Sequence, residues 1–144
     1  MKLMHYSDVP LEEVTVEGAR GAKIRWLVAE KDGAPNFAMR LFELEENGFT
    51  PYHAHSWEHE NFIVEGEGVL QTEDGDKPFK PGDILYVPPM MKHSYRNTGG
   101  GVLKFLCMIP NDTSYTPVKE EKKEEKKEVK KTVNPFASGV ANNC

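Results

Sequence analysis

Short runs of apolar and β-branched residues alternate with turn signals along the first 110 positions of the chain. The first three runs are EEVTVE at 12–17, AKIRWLVA at 22–29 and NFAMRLFELE at 36–45. The segments GARG and KDGAPN separate them, and glycine, proline and asparagine favour turns. Nothing before residue 110 has the length of a helix, so the chain is predicted to begin as a series of β-strands.

The same alternation continues through the middle of the chain. TPYHAH, NFIVEG and EGVLQT come next and are followed by a turn at EDGDK, after which DILYV at 83–87, HSYRN at 93–97 and VLKFLCMI at 102–109 complete the pattern. Many short strands at even spacing, with glycine and proline between them, predict an all-β jelly-roll barrel. An open β-sandwich is the alternative.

The composition changes near residue 111. Residues 119–131 contain seven lysines and five glutamates and have no apolar stripe. The EEKK repeat places like charges four residues apart, which destabilises a helix. We therefore expect a flexible charged tail over 111–144, with a solvated helix as the alternative. The barrel is predicted over 36–110, and 1–35 are predicted to supply flanking N-terminal strands.

Charge and hydropathy narrow the classes of partner. A formal net charge of −5 over 144 residues argues against nucleic acid. No apolar run approaches the roughly 20 residues that span a membrane, and the start MKLMHYSDVPLEE lacks the apolar segment of a signal peptide. We expect a cytoplasmic protein without a membrane partner, in which Cys107 and Cys144 are both reduced thiols.

The densest chemistry lies in PYHAHSWEHENF, which holds three of the five histidines. Alternate residues of a strand share a face, so His53 and His55 aim two imidazoles at one point. A turn at SWE brings the chain back at His59, and His93 begins a later strand. Each histidine alone would be interpreted as an ordinary surface or core residue. Together they predict a metal site.

Two segments resemble the signature motifs of the cupin superfamily. They are GFTPYHAHSWEHENFIVEG at 48–66 and GDILYVPPMMKHSYRN at 82–97, and the resemblance extends over about residues 36–110. It implies a double-stranded β-helix, the cupin form of the jelly roll, around one divalent metal ion. Cupins commonly carry Mn, Fe, Ni or Zn, and the sequence does not choose among them. Cupins also often dimerise, so a homodimer is expected.

The chain departs from the family motifs at three places. One residue fewer than usual follows Gly48, and Met90 replaces the usual glycine, which leaves the shape of that turn open. The glutamate position is occupied by His59, with Glu60 directly after it. Neighbouring residues of a strand face opposite sides, and the six-residue spacing to Gly66 favours His59 over Glu60 as the inward residue. The resemblance then implies a four-histidine site, a variant found among small single-domain cupins.

This change from glutamate to histidine affects the charge of the site. Three neutral histidines and one glutamate leave a divalent ion with a net charge of about +1, whereas four histidines leave about +2. The second arrangement is the stronger Lewis acid and the better binder of anionic oxygens. A small anionic molecule is therefore the predicted ligand.

Strand alternation adds three candidate catalytic residues. Arg40 shares a face with Phe42, and it is either an inward clamp for a carboxylate or phosphate or a solvated edge arginine. Tyr95 has the parity of His93 and is a candidate hydrogen-bond donor. Cys107 shares a face with Leu103, Phe105 and Ile109. Its thiol either looks into the barrel near the metal or is a small buried hydrophobe.

These features predict a metal-dependent enzyme that acts on a small anionic metabolite. The reaction classes that fit are those of an isomerase, lyase, decarboxylase or dioxygenase. The alternative is a non-catalytic module that binds a small ligand or a metal, because a fold does not dictate its function.

Overall fold

The computed structural model describes residues 1–114. They form nine strands: β1 Glu12–Glu13, β2 Arg20–Val28, β3 Phe37–Phe49, β4 His59–Glu65, β5 Gly68–Thr72, β6 Gly75–Phe79, β7 Ile84–Val87, β8 His93–Asn97 and β9 Leu103–Pro110. The helices of this part of the chain are two three-residue 3-10 turns, Tyr6–Asp8 and Glu30–Asp32. No helix within residues 1–114 is long and apolar enough to cross a membrane.

The long strand β3 joins the two halves of the sheet. All pairings between named strands are antiparallel, and the strand order is β6-β5-β8-β3-β9-β4-β7, with β2 also paired to β3 and β1 to β2. Most of β3 lies between β2 and β9, whereas its last residue, Phe49, pairs with Arg96 of β8. Because β3 pairs with strands of both halves, the sheet curls. The predicted all-β jelly roll is confirmed.

The core lies inside the curled sheet and follows the predicted two-residue alternation. On β3 and β9, cross-strand partners such as Leu44 and Leu103 are fully buried, and Phe105 lies opposite Phe42. The rings of Phe42 and Phe105 stack with centroids 5.2 Å apart. Ile63 of β4 is also fully buried. Burying such side chains is the main source of stability in a barrel of this size.

The observed strands differ from the predicted ones at three places. Pairing at the N-terminus stops after Glu13, so residues 14–17 form no strand. Residues 50–55 also form no regular strand, because Pro51 has no N–H to donate and only isolated hydrogen bonds reach β8. Conversely, the predicted turn EDGDK ends after Asp74, and β6 begins within it at Gly75. Its Pro78 is tolerated because β6 is an edge strand. The predicted charged tail lies, apart from residues 111–114, outside the described residues, as does Cys144.

Candidate metal centre

Four histidines meet at one end of the barrel. His53 and His55 lie on the connection between β3 and β4, His59 is the first residue of β4, and His93 is the first residue of β8. An isolated bridge fixes the backbone: the N–H of His53 donates to the carbonyl of His93 at 3.1 Å, and the reverse bond is 3.0 Å. Both predicted motifs therefore converge on the same point.

The four imidazoles lie close enough to share one ion. Ligand nitrogens of His53, His55 and His93 all lie within 4.8 Å of one another. His59 is not in that group of three, but its Nε2 lies 2.8 Å from Nε2 of His55, and its ring centroid lies 5.0 Å from that of His93. The structure thus shows a histidine triad with the fourth imidazole beside it.

Hydrogen bonds to backbone carbonyls set the tautomers of two of these rings. His55 Nδ1 donates to the carbonyl of Trp57 at 2.7 Å, and His93 Nδ1 donates to that of Met91 at 2.8 Å. A carbonyl only accepts, so Nδ1 carries the proton in both rings and Nε2 keeps its lone pair. The Nε2 of His93 is buried and has no hydrogen-bond partner. A buried lone pair with no donor, beside three further imidazoles, fits a metal ion.

Burial keeps the cluster uncharged. It lowers the pKa of His55 to about 4 and, with the help of the nearby Arg40 charge, the pKa of His59 to about 2. Burial likewise lowers the pKa values of His53 and His93. Since imidazole must be neutral to ligate a metal, the rings are in the form that binding requires at neutral pH.

The structure orients His59 and Glu60 as strand alternation predicts. His59 is 6% exposed and faces the interior, whereas Glu60 is exposed on the outer face of β4. Of the two, only His59 can reach the other imidazoles, so Glu60 does not take its place in the cluster.

Arg40 lies on the inner face of β3, between Trp26 of β2 and Cys107 of β9 in the cross-strand register. Its Nη2 donates to the Cys107 sulfur at 2.9 Å. Its guanidinium lies 5.5 Å from the Trp26 ring and 5.0 Å from the Phe42 ring. The Nε of Arg40 is buried and has no partner. The guanidinium is therefore held on the cavity wall, and its Nε–H has no hydrogen-bond acceptor.

Cys107 connects Arg40 to the histidines. Its sulfur lies 3.2 Å from Nδ1 of His59, and its side chain is 1% exposed. To ligate an ion through Nε2, His59 would carry its proton on Nδ1 and donate it to the sulfur. In the 2.8 Å contact between the two Nε2 atoms, His55 keeps its lone pair, so His59 there donates from Nε2 and accepts from the thiol at Nδ1. The result is a hydrogen-bond chain from Arg40 through Cys107 and His59 to His55. Burial raises the pKa of the thiol, although the Arg40 charge opposes this, so Cys107 is protonated at neutral pH.

Tyr95 also reaches this cavity, but its hydroxyl is engaged. The hydroxyl donates to Oδ1 of Asn61 at 2.7 Å, and the ring stacks on Phe105 with centroids 4.6 Å apart. Burial raises the pKa of the phenol well above its usual value. Asn61 was not among the predicted residues. Its parity with His59 on β4 was the available signal.

The histidines, Arg40, Tyr95 and Cys107 all line one cavity of about 360 Å³. Most of the remaining lining is apolar: Val14, Val16, Ile24, Trp26, Phe42, Pro51 and Trp57. Trp57, in the turn before β4, stacks flat on His55 with centroids 4.1 Å apart and planes 5° apart. Its indole Nε1 is buried without a partner.

Comparisons with known proteins agree with this architecture. A family model described as a cupin domain matches residues 40–109. The oxalate-binding protein of Thermotoga maritima is 32% identical over 108 residues, covering 72% of this chain and 88% of that protein. Among solved structures, the polyketide cyclase RemF of Streptomyces resistomycificus superposes with a TM-score of 0.75 and 33% identity, covering 80% of this chain and 82% of that one.

A second group of relatives is longer. The glucose-6-phosphate isomerase of Thermococcus onnurineus is 34% identical over 106 residues, covering 64% of this chain and 56% of the isomerase. The chain thus spans little more than half the length of the glucose-6-phosphate isomerases that it matches.

Proposed function

Because the chain belongs to the cupin family, we propose that it is a metal-dependent enzyme that acts on a small anionic metabolite. The observation that carries the proposal is the convergence of four neutral imidazoles, with one buried lone pair left unpaired at His93. The names of the relatives support a small ligand, because they describe proteins that bind or convert small molecules. The reaction belongs to the isomerase, lyase, decarboxylase or dioxygenase type.

One divalent ion, Mn, Fe, Ni or Zn, is proposed to be held by His53, His55, His59 and His93. Four neutral ligands leave it the full charge of about +2, and such an ion supplies Lewis-acid polarisation of a ligand oxygen. His55 and His93 are pre-oriented by their bonds to the carbonyls of Trp57 and Met91. Bonds of this kind fix the tautomer and the ring direction of a metal-binding histidine.

Arg40 is proposed to bind the anionic group of the ligand. Its unpaired Nε and its position on the same cavity wall as the histidines support this role. A guanidinium forms charge-assisted hydrogen bonds to carboxylate or phosphate oxygens. Stacking between Trp26 and Phe42 restricts the side chain, so little conformational freedom remains to be lost when the anion binds.

Cys107 is proposed to hold or move a proton at Sγ. The buried, protonated thiol lies between the guanidinium and Nδ1 of His59, so it acts as the hydrogen-bond partner of whichever His59 tautomer is present rather than as a thiolate nucleophile. Tyr95 is proposed to position Asn61 and the cavity wall, since its hydroxyl is already bonded. A homodimer and a cytoplasmic location remain predictions of the sequence.

The proposal is tested by metal analysis and anion binding on the purified full chain. We expect one divalent ion per chain, and oxalate binding by calorimetry that weakens at least tenfold in Arg40→Gln, as a charge-assisted bond is lost. Lys23→Gln is the matched control, because Lys23 pairs with Glu45 at the surface. Absence of metal after loading, or equal oxalate affinity in Arg40→Gln and the parent, would contradict the proposal.

The name of the oxalate-binding relative gives the non-catalytic alternative its support. The two functions separate when bound oxalate is recovered and analysed. If the ligand is converted when it is mixed with an equimolar amount of protein, the result supports the enzyme hypothesis. A ligand that binds to the metal-loaded protein and is returned unchanged, across a panel of oxo acids, supports the binding module.

A further inference from the structure

The part of the cavity lining that β2 and β3 supply is built mainly from apolar and aromatic side chains. Ile24 and Phe42 are direct cross-strand partners on β2 and β3, and Trp26 and Arg40 form the next row. The segment after β1 adds Val14 and Val16 at the lip. The hydrocarbon parts of this surface gain free energy by covering an apolar ligand and give no hydrogen bonds to a polar one.

Few polar groups of the cavity are available to a ligand. The Tyr95 hydroxyl donates to Asn61, and Thr50 Oγ1 accepts from the backbone of Tyr95. Cys107 bonds to Arg40 and His59. Among the described residues, the buried side-chain nitrogens without partners are Arg40 Nε, Trp57 Nε1 and His93 Nε2, and all three residues line this cavity. Arg40 Nε and Trp57 Nε1 are N–H donors, whereas His93 Nε2 offers the lone pair proposed for the metal, so the two donors provide for one small group of acceptor atoms.

The charges of the lining do not suit a sugar phosphate. Arg40 is the one lysine or arginine among the described residues that line the cavity, and Glu13 lies at the exposed lip. Beyond the proposed metal ion, a phosphate dianion would meet one guanidinium and no second lysine or arginine among the described residues of the lining. Each sugar hydroxyl taken into the cavity would also lose its water partners against an apolar wall, which costs free energy.

We infer that the ligand has a single anionic oxygen-bearing head and a flat apolar body, such as an aromatic ring. The head lies between Arg40 and the histidines, and the body lies against Ile24, Trp26 and Phe42. The volume of about 360 Å³ is more than twice the roughly 150 Å³ that holds a benzene ring, so one or two rings fit. This inference rests on the proposed function and names the substrate class of the same site.

Three small ligands test the contributions of the anionic head and the apolar body to binding separately. Phenylpyruvate and pyruvate share the oxo-acid head and differ in the ring, and glucose 6-phosphate is polar throughout. In calorimetric titrations of the metal-loaded full chain, we expect phenylpyruvate to bind roughly tenfold to hundredfold more tightly than pyruvate, and glucose 6-phosphate to bind more weakly than phenylpyruvate. Equal affinity for the two oxo acids, or tightest binding of glucose 6-phosphate, would overturn the inference.

Substitutions in the apolar lining of the cavity test whether this lining causes the preference for phenylpyruvate over pyruvate. Phe42→Leu should narrow the ratio of phenylpyruvate to pyruvate affinity at least threefold, while Phe62→Leu, on the exposed outer face of β4, should not change it. Val16→Asn is a second variant, since Val16 is 58% exposed and its replacement does not disturb the core. It should narrow the same ratio. An unchanged ratio in a folded Phe42→Leu or Val16→Asn protein contradicts the placement.

The outcomes distinguish this inference from the proposed function. Metal and pyruvate that bind without any preference for the ring would refute the inference alone. A protein that takes up no metal would refute the proposed function. The ring preference would then be measured on the metal-free protein, whose apolar wall is unchanged, and its presence or absence would still decide the inference.

Discussion

Met90 adopts a backbone conformation that side chains other than glycine rarely take. Its φ is 67°, in the left-handed region, at the motif position where glycine is usual. The turn is held by a 2.7 Å bond from the N–H of Met90 to the carbonyl of His55, so it also ties the two motifs together. The departure from the motif therefore leaves the turn in a glycine-like conformation with a strained residue in it.

Replacing Met90 with glycine should stabilise the protein. The side chain is 61% exposed and contributes little packing. Relief of about 1–2 kcal/mol of left-handed strain exceeds the roughly 0.5–1 kcal/mol of chain entropy that a glycine costs, which leaves a net gain of about 0.5–1 kcal/mol. Chemical denaturation of the metal-free protein measures this. Met91→Gly is the control, because Met91 packs against the core and its φ is not positive, so this variant should lose stability. A loss in Met90→Gly similar to that in Met91→Gly would show that the strain is not relieved.

At the residue scale, alternation and spacing were enough to orient most of the site. They place His59 inward, Glu60 outward and Cys107 on the inner face of its strand, as the structure shows. For Arg40 they left an inward and a solvated position open. They could not reveal the stacking of Trp57 on His55, because that contact depends on the path of an irregular loop. The thiol bridge between Arg40 and His59 depends on rotamers, which a linear pattern does not contain.

At the scale of the elements, Gly66 fixes the tight connection between β4 and β5. Its φ is +80°, and an added Cβ would lie 2.6 Å from the carbonyl oxygen of Val102 and 2.9 Å from the Cα of Leu103. Neither neighbour is a flexible side chain that could move aside. Glycine is therefore required at the last position of the first motif for two reasons. Its φ is positive, and the backbone just before β9 leaves no room for a side chain.

Gly66→Ala should cost more stability than Gly82→Ala. Gly82 has a similar φ of +90° but nothing within 4 Å of an added Cβ, so its replacement carries only the conformational cost of about 1 kcal/mol. The clash at Gly66 should add roughly 1–3 kcal/mol. Urea denaturation of the two variants compares them directly. Equal losses would indicate that the backbone around residue 102 yields without cost.

Element boundaries were less predictable than the existence of the strands. HSYRN coincides with β8, but the strand predicted at 50–55 is a connection with one bridge, and β6 was missed. In both cases, pairing with a neighbouring strand decided whether the segment forms a strand. Residues 50–55 have strand-like composition but Pro51 interrupts the bonding, whereas the edge strand β6 accepts a proline that composition alone would take as a breaker.

At the scale of the whole molecule, residues 1–114 carry the curled sheet, the core and the candidate site. Deleting residues 116–144 should therefore leave the melting temperature within a few degrees, because none of the described core contacts is removed. The deletion retains Thr113, whose carbonyl accepts a 3.4 Å bond from Ser56 near the histidines. Differential scanning calorimetry provides the measurement. A fall in the melting temperature beyond about 8 °C would correspond to more than about 1–2 kcal/mol and would assign the tail a structural role.

The central claim is that His59, and not Glu60, completes a four-histidine metal centre. The most direct measurement is metal affinity, with stoichiometry, in His59→Ala and Glu60→Gln compared with the parent, with circular dichroism showing that each variant is folded. We predict one ion per chain in the parent and in Glu60→Gln. In His59→Ala the affinity should fall by at least the roughly tenfold to hundredfold seen when even an outer partner of a metal ligand is lost. Retained affinity in His59→Ala together with loss in Glu60→Gln would contradict the account.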